Sequence, residues 1–254
     1  MRKPQKTLPG VTRRQVLTWT GAALAALTPG TGQSQAVTLT GATPGWRPFA
    51  DNPPQTYSSQ GWLFFTEAEA ATLEAIVDRL IPEDDLSPGG KACGCAVFID
   101  RQLHGFYGNF ERLYREGPFR EGTPEQGDQS PLTPRERYRL GLSGLDNYVR
   151  KQHNKRFHEL NGDEQDNVLR ALEKGAITLD GIDGTLFFAQ VLSNTTEGFF
   201  ADPIYGGNRD MVSWKMIGFP GARYDYRDFI ERHNEDLNLT PVSITGSAAW
   251  IKKG

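Results

Sequence analysis

Three times along this chain, a residue with a short hydrogen-bonding side chain is followed three positions later by glutamate and then by apolar residues at helical spacing. Thr66-Glu67-Ala68-Glu69 precedes Leu73, Ile76, Val77 and Leu80, which recur at i, i+3, i+4 and i+7. This is a capping box opening an amphipathic helix, because the Thr hydroxyl and the Glu carboxylate each satisfy an amide that has no helical partner. Pro82 stops that helix. Thr133-Pro134-Arg135-Glu136 repeats the signal with Pro at the first helical position, and Tyr138, Leu142, Leu145 and Val149 mark a buried face. Asn161 to Glu164 opens another helix, bearing Val168, Leu169 and Leu172 and ending at Gly175. Asp183 caps a further one, with Phe187, Phe188, Val191 and Leu192 as core, and Gly89 to Leu103 reads as a helix contributing Val97, Phe98 and Leu103. No alternating strand run of convincing length occurs. The expected class is mainly α, a single domain of short helices joined by long ordered loops, for which 28 Gly and 16 Pro supply the turns.

Ahead of this body lies a segment of different character. Thr12-Arg13-Arg14-Gln15-Val16-Leu17 opens an apolar run through Ala22 to Leu27 that breaks at Pro29-Gly30. A basic region, an apolar region and a turn, in that order, form an export signal. Arg13 and Arg14 directly before Val16 and Leu17 mark the twin-arginine variety. The run is interrupted by Thr18, Thr20 and Gly21 and falls well short of the roughly 20 apolar residues a spanning helix needs, so it reads as a signal and not as an anchor. Ser34 and Ala36 place a cleavage site before Val37. The expected organisation is therefore a signal over 1–36, an extended arm over 37–61 carrying Trp46, Phe49 and Tyr57, and a helical domain over 62–254. The expected location is the periplasm.

The signal also distorts the charge. Its five basic side chains, taken from a net −3, leave the remainder at −8. An acidic body repels phosphate backbones and anionic headgroups, which argues against nucleic-acid or direct membrane binding.

Motifs of catalysis are missing from the sequence. It has no GxGxxG, P-loop, CxxCH or GxSxG pattern, and two cysteines cannot build a four-cysteine cluster. His104, His153, His158 and His233 are scattered without metal-ligand spacing. Glu83-Asp84-Asp85 and Glu164 to Asp166 sit beside turn or helix-start signals and read as caps and solvated loops. Catalytic, cofactor-binding and metal residues are accordingly expected to be none. Cys93 and Cys95 could close on each other only through a strained ring, so an intersubunit disulfide through one of them or two free buried thiols are the favoured readings, ahead of the internal pair.

From Glu197 the chain reads EGFFADPIYGGNRDMVSWKMIGFPGARYDY, dense in aromatics and turn residues together. Asp202-Pro203 and Gly206-Gly207-Asn208 fix sharp turns, and the stretch Met211 to Ile217 reads as a core helix between them. Trp, Tyr and Arg on rigid turns are what interfaces favour, so this segment is a candidate contact surface. The candidate positions are Phe199, Phe200, Asp202, Tyr205, Arg209, Asp210, Trp214, Phe219, Arg223, Tyr224 and Tyr226.

This stretch resembles the signature of the gluconate 2-dehydrogenase subunit 3 family. Leu80-Ile81-Pro82, Leu86-Ser87-Pro88-Gly89, Phe98 to Leu103, Gly117-Pro118-Phe119, Pro131-Leu132-Thr133, Arg156-Phe157 and Asp183-Gly184 extend the likeness over about 60–245. The resemblance implies a three-part membrane-associated enzyme. Its large FAD-dependent subunit is of the glucose-methanol-choline type, a multihaem cytochrome c carries haem c, and the small subunit serves as folding partner and export escort without a cofactor of its own. Two other readings compete with it. One is a self-standing periplasmic enzyme using Asp202, Arg209 and Asp210; the other is a sugar-binding module stacking sugars on the aromatics of 199–226.

Overall fold

The computed structural model describes residues 61–111, 113, 115–120, 122–223 and 226–244. The expected twin-arginine signal, with Arg13, Arg14, Val16 and Leu17, and the expected arm up to residue 60 lie outside them, as does Tyr224. Six α-helices occur among the described residues: α1 Glu67–Leu80, α2 Cys95–His104, α3 Pro134–His153, α4 Gly162–Glu173, α5 Gly184–Phe200 and the short α6 Val212–Met216. Apart from two isolated bridges they carry no strand pairing. The mainly α class expected from the sequence is the one observed.

The capping signals produce the helix starts they encode. Thr66, Thr133 and Asn161 each accept from the amide three residues on, while Glu69, Glu136 and Glu164 reach back to the cap amides. Asp183 caps α5 by accepting from Thr185 N at 2.8 Å and Leu186 N at 3.4 Å. With the ends satisfied, the apolar stripes of α1, α3 and α4 turn inward. Leu73, Val77, Leu145 and Val149 are completely buried, and burial of each such side chain stabilises the fold by roughly 1.5–3 kcal/mol.

α5 is the hub, packing against α1, α2, α3, α4 and α6. Phe187, Phe188, Val191, Thr195, Gly198 and Phe199 form its inner face. Leu192, expected in the core, is 40% exposed instead, because it lies just beyond the edge of that face. One polar residue on the inner face, Asn194, accepts from the buried Tyr138 hydroxyl at 3.0 Å and donates to Tyr107 Oη at 3.2 Å. It locks α3 and the turn Phe106–Asn109 onto the hub.

The second helix differs from its sequence expectation. It starts at Cys95 and not at Gly89, because Gly94 at φ 83 takes a left-handed conformation and breaks the helical path. Residues 89–93 instead wind against the end of α1. A Cβ at Gly90 would fall 2.4 Å from Val77 O, so the pair Gly89-Gly90 permits a backbone approach that side chains would block. Val97 is only half-buried, whereas Phe98, Ile99, Asp100 and Leu103 point inward.

Asp100 is fully buried and was not anticipated as important. Its carboxylate accepts from the amides of Leu63 (2.9 Å), Phe64 (2.9 Å) and Phe65 (3.0 Å) and pairs with Arg101, which also donates to Gly61 O at 2.7 Å. The bent stretch leading into α1 is thereby fastened to α2 by charge-assisted hydrogen bonds.

Candidate functional site

After α5 the chain changes its mode of construction. Ala201 ends the helix, Pro203–Tyr205 makes a short 3-10 turn, and Gly206 enters the left-handed region at φ 95. Non-glycine residues follow there too: Asn208 at φ 43, Asp210 at φ 56 and Met211 at φ 55. Each such position costs on the order of 1–2 kcal/mol relative to ordinary backbone, somewhat less for Asn and Asp. Something must hold them.

The Asn208 side chain is the chief brace. It is completely buried, donates from Nδ2 to Ala201 O at 2.9 Å, and accepts at Oδ1 from Ser213 N at 3.1 Å and Ser213 Oγ at 2.8 Å. One amide group therefore ties the end of α5 to the start of α6 across the turn. Trp214 adds a second tie by donating its indole N–H to Phe200 O at 2.9 Å, with Phe219 edge-on to its ring at 5.1 Å. Asp202 adds a third. Its Oδ1 accepts from Ile204 N at 3.0 Å and Ser243 Oγ at 2.7 Å, and its Oδ2 from Ile244 N at 2.6 Å.

The turn is also pressed against the body. A Cβ at Gly207 would fall 2.1 Å from Gly198 O of α5, and one at Gly94 2.5 Å from Gly206 O, so both contacts require glycine. Arg209 N donates to Cys93 O at 3.1 Å. Beneath this contact Cys93 and Cys95 are free and buried, and Cys93 Sγ donates to Pro88 O at 3.3 Å. Burial pushes the Cys95 thiol up to about 12, with the neighbouring Cys93 adding to the effect, and burial raises Cys93 as well. Both are held as unreactive thiols. Buried as they are, neither sulfur is placed to bond to another chain.

The structure describes ten of the eleven candidate interface positions, all but Tyr224, and separates internal from outward-facing ones. Phe199, Asp202 and Trp214 are internal, which corrects their reading as surface contacts. Each is buried because it frames the turn. Phe200, Tyr205, Arg209, Asp210, Phe219 and Tyr226 are exposed, and Arg223 is half-buried with Nη2 donating to Thr240 O at 2.7 Å. The expected core helix 211–217 is also corrected. Met211 is left-handed, helix proper covers Val212–Met216, and only Ser213 and Trp214 of it are buried, while Ile217 is 56% exposed. Ser213 escaped notice in the sequence, and Asn208 was read there as part of a sharp turn but not as its brace.

Chemically, the arrangement offers a rigid platform with Arg209 and Asp210 side by side between exposed aromatics. The Asp202 carboxylate, with both oxygens engaged in bracing, is committed to structure. Among the described residues no group of three His, Cys, Asp or Glu side chains is placed to hold a metal ion, and no helix is long and apolar enough to cross a membrane.

Fold and site together define a small helical domain whose distinctive exposed surface is a braced, aromatic-rich turn. The sequence model of the family described as gluconate 2-dehydrogenase subunit 3 matches residues 67–221, and the chain belongs to that family. That span runs from the first residue of α1 to Gly221 and takes in the whole braced turn. No curated protein and no solved structure matches the chain significantly.

Proposed function

We propose that this chain is the non-catalytic small subunit of a gluconate 2-dehydrogenase-type complex, serving as folding partner and export escort for an FAD-dependent subunit of the glucose-methanol-choline type. The observation that carries the reading is the turn Tyr205–Met211. Strained backbone that is over-determined by buried side chains, and that displays Tyr205, Arg209 and Asp210 outward, is what a rigid docking surface requires. Family membership supports a place in such a complex.

In this reading Phe200, Phe219 and Tyr226 supply apolar anchor area around the charged pair, and a permanent interface of order 2,000 Å2 or more forms there. FAD belongs to the large subunit and haem c to a multihaem cytochrome partner. The twin-arginine pair Arg13-Arg14 supplies the address, and the flavoprotein crosses to the periplasm attached to this chain. Contact with the membrane is then indirect, through the complex.

Co-expression tests this. With the chain present, the flavoprotein is expected to fold, load FAD and reach the periplasm; Arg13→Lys with Arg14→Lys is expected to strand both. Export of loaded flavoprotein in the absence of the chain would refute the escort role.

A further inference from the structure

Residues 82–94 run from the end of α1 to the start of α2, and Cys93 joins this loop to the turn Tyr205–Met211. All three polar groups of Cys93 are engaged. Sγ donates to Pro88 O at 3.3 Å, N donates to Gly89 O at 2.9 Å, and O accepts from Arg209 N at 3.1 Å. Gly94 lets the two backbones meet, since a Cβ there would fall 2.5 Å from Gly206 O and 2.9 Å from Arg209 Nε. The Arg209 side chain therefore lies against the junction, and the loop and the turn form one continuous stretch of the molecule.

The loop carries Leu86, which is 74% exposed and the most exposed large apolar side chain among the described residues. A single exposed leucine is ordinary on a protein surface. This one is held out on fixed backbone: Asp84 Oδ1 accepts from Leu86 N at 2.8 Å and Ser87 N at 2.9 Å, and Asp84 N donates to Ser87 O at 3.1 Å. Gly90 N, donating to Ile81 O at 2.7 Å, closes the base of the loop. Displaying an apolar side chain to water on rigid backbone gains nothing for the fold, but it lowers the ordering cost of an interface. Glu83 and Asp85 beside it are exposed and have no ion-pair partner among the described residues. A permanent interface covers about 1,000 Å2 or more on each partner, a disc of radius about 18 Å. Centred on Arg209, such a footprint takes in a loop that is bonded to the same residue.

We infer that the docking surface extends across Cys93 to the loop 83–87, where Leu86 inserts into an apolar socket of the FAD-dependent partner rimmed by basic side chains. The inference rests on the docking role proposed above and adds to it a second contact element and the chemistry of the face opposite. Glu83 and Asp85 pair with the basic rim, while Arg209, which has no carboxylate partner among the described residues, meets an acidic group beside it. Cys93 acts as a positioning residue that holds the two contact elements at a fixed spacing.

Affinity of the purified full chain for the proposed FAD-dependent partner tests this, with Arg209→Glu reporting on the docking role itself. Leu86→Asp is expected to weaken the complex about tenfold or more. Leu86→Met is expected to stay within about twofold of wild type, because the Met side chain refills an apolar socket. Asp85→Lys is expected to weaken the complex about threefold or more. Leu86 and Asp85 are exposed, so these variants are expected to keep the wild-type melting temperature. If Arg209→Glu weakens binding and Leu86→Asp does not, the inference falls while the docking role stands; if neither does, both fall. Loss with Leu86→Asp alone would overturn the continuity of loop and turn, and a tighter complex with Asp85→Lys would overturn the basic rim. Self-association of the wild-type chain that Leu86→Asp abolishes would assign Leu86 to a second copy of the chain and overturn the inference as well.

Discussion

Between Glu67 and Phe200 the chain is held mainly by capped helices pressing apolar faces together, whereas between Ala201 and Ile244 it is held mainly by side chains bonded to backbone. In the first region the fully buried residues are dominated by Leu, Ile, Val and Phe, with Tyr138 among them. In the second, the buried set among the described residues is Asp202, Asn208, Ser213, Trp214 and Val242 with three glycines, and three of the five with side chains are polar. Apolar burial is roughly proportional to area and tolerant of detail, so it stabilises a fold without dictating the direction of any one loop. Buried hydrogen bonds do the opposite, because they add modest net stability but penalise every geometry that leaves them unmade. The body therefore supplies stability, and the second region supplies a defined surface.

Substitutions that delete one kind of support can break this contrast. Phe187→Ala removes a ring from the hub and is expected to cost about 3–5 kcal/mol, read as a lower urea midpoint for the whole domain. Asn208→Ala removes three hydrogen bonds while keeping the left-handed position, at an expected cost of about 3 kcal/mol. Hydrogen exchange sharpens the comparison: Phe187→Ala should accelerate exchange in all the helices, and Asn208→Ala first at Arg209 to Trp214. Uniform acceleration in both variants would show that the two regions are one cooperative unit.

The effect of pH tests the first region. The Thr185 hydroxyl, with the Thr185 and Leu186 amides, holds the Asp183 carboxyl below the usual carboxylate range; the Thr133 amide and hydroxyl do the same for Glu136. A depressed folded value contributes stability that is complete above the unfolded value near pH 4 and lost as pH falls through the folded one. Helix ellipticity of the body is thus expected to weaken below about pH 4. At the alkaline side, burial raises Cys95 to about 12 and Tyr138 well above its ordinary value. Their contribution is complete below the unfolded values and lost as pH rises past roughly 8.5 for the thiol and 10 for the phenol. Denaturant midpoints across pH 3 to 11 check both limbs, and a flat profile would contradict the assigned caps and buried groups.

The smallest expected effect is a gain. Met211→Gly relieves a left-handed non-glycine residue and is expected to stabilise by about 0.5–1 kcal/mol after the entropy cost of glycine, visible as a slightly raised melting temperature. Destabilisation would mean that Met211 packing outweighs its backbone strain.

How much of this was legible in the sequence follows the same division. The starts of α1, α3, α4 and α5 were readable because a capping signal is local, contained within four residues. The inward stripes were readable because helical period is local as well. Leu192 was misplaced because the edge of a buried stripe depends on which helix lies opposite. The start of α2 was unreadable for a related reason: Gly89 and Gly90 matter through their approach to Val77 and Asp78, a tertiary contact. Asp202 looked like surface because its partners Ser243 and Ile244 lie some forty residues away. The segment stood out by composition as a candidate contact surface, but which of its aromatics face out was decided by three polar braces that no periodicity announces.

If the braced turn is the docking surface, reversing its charges must weaken the complex without touching the fold. The direct measurement is the affinity of the purified chain for the proposed FAD-dependent partner, comparing wild type with Arg209→Glu and Asp210→Lys. A loss of tenfold or more with unchanged melting temperature is the predicted result, and wild-type affinity in both folded variants would contradict the account.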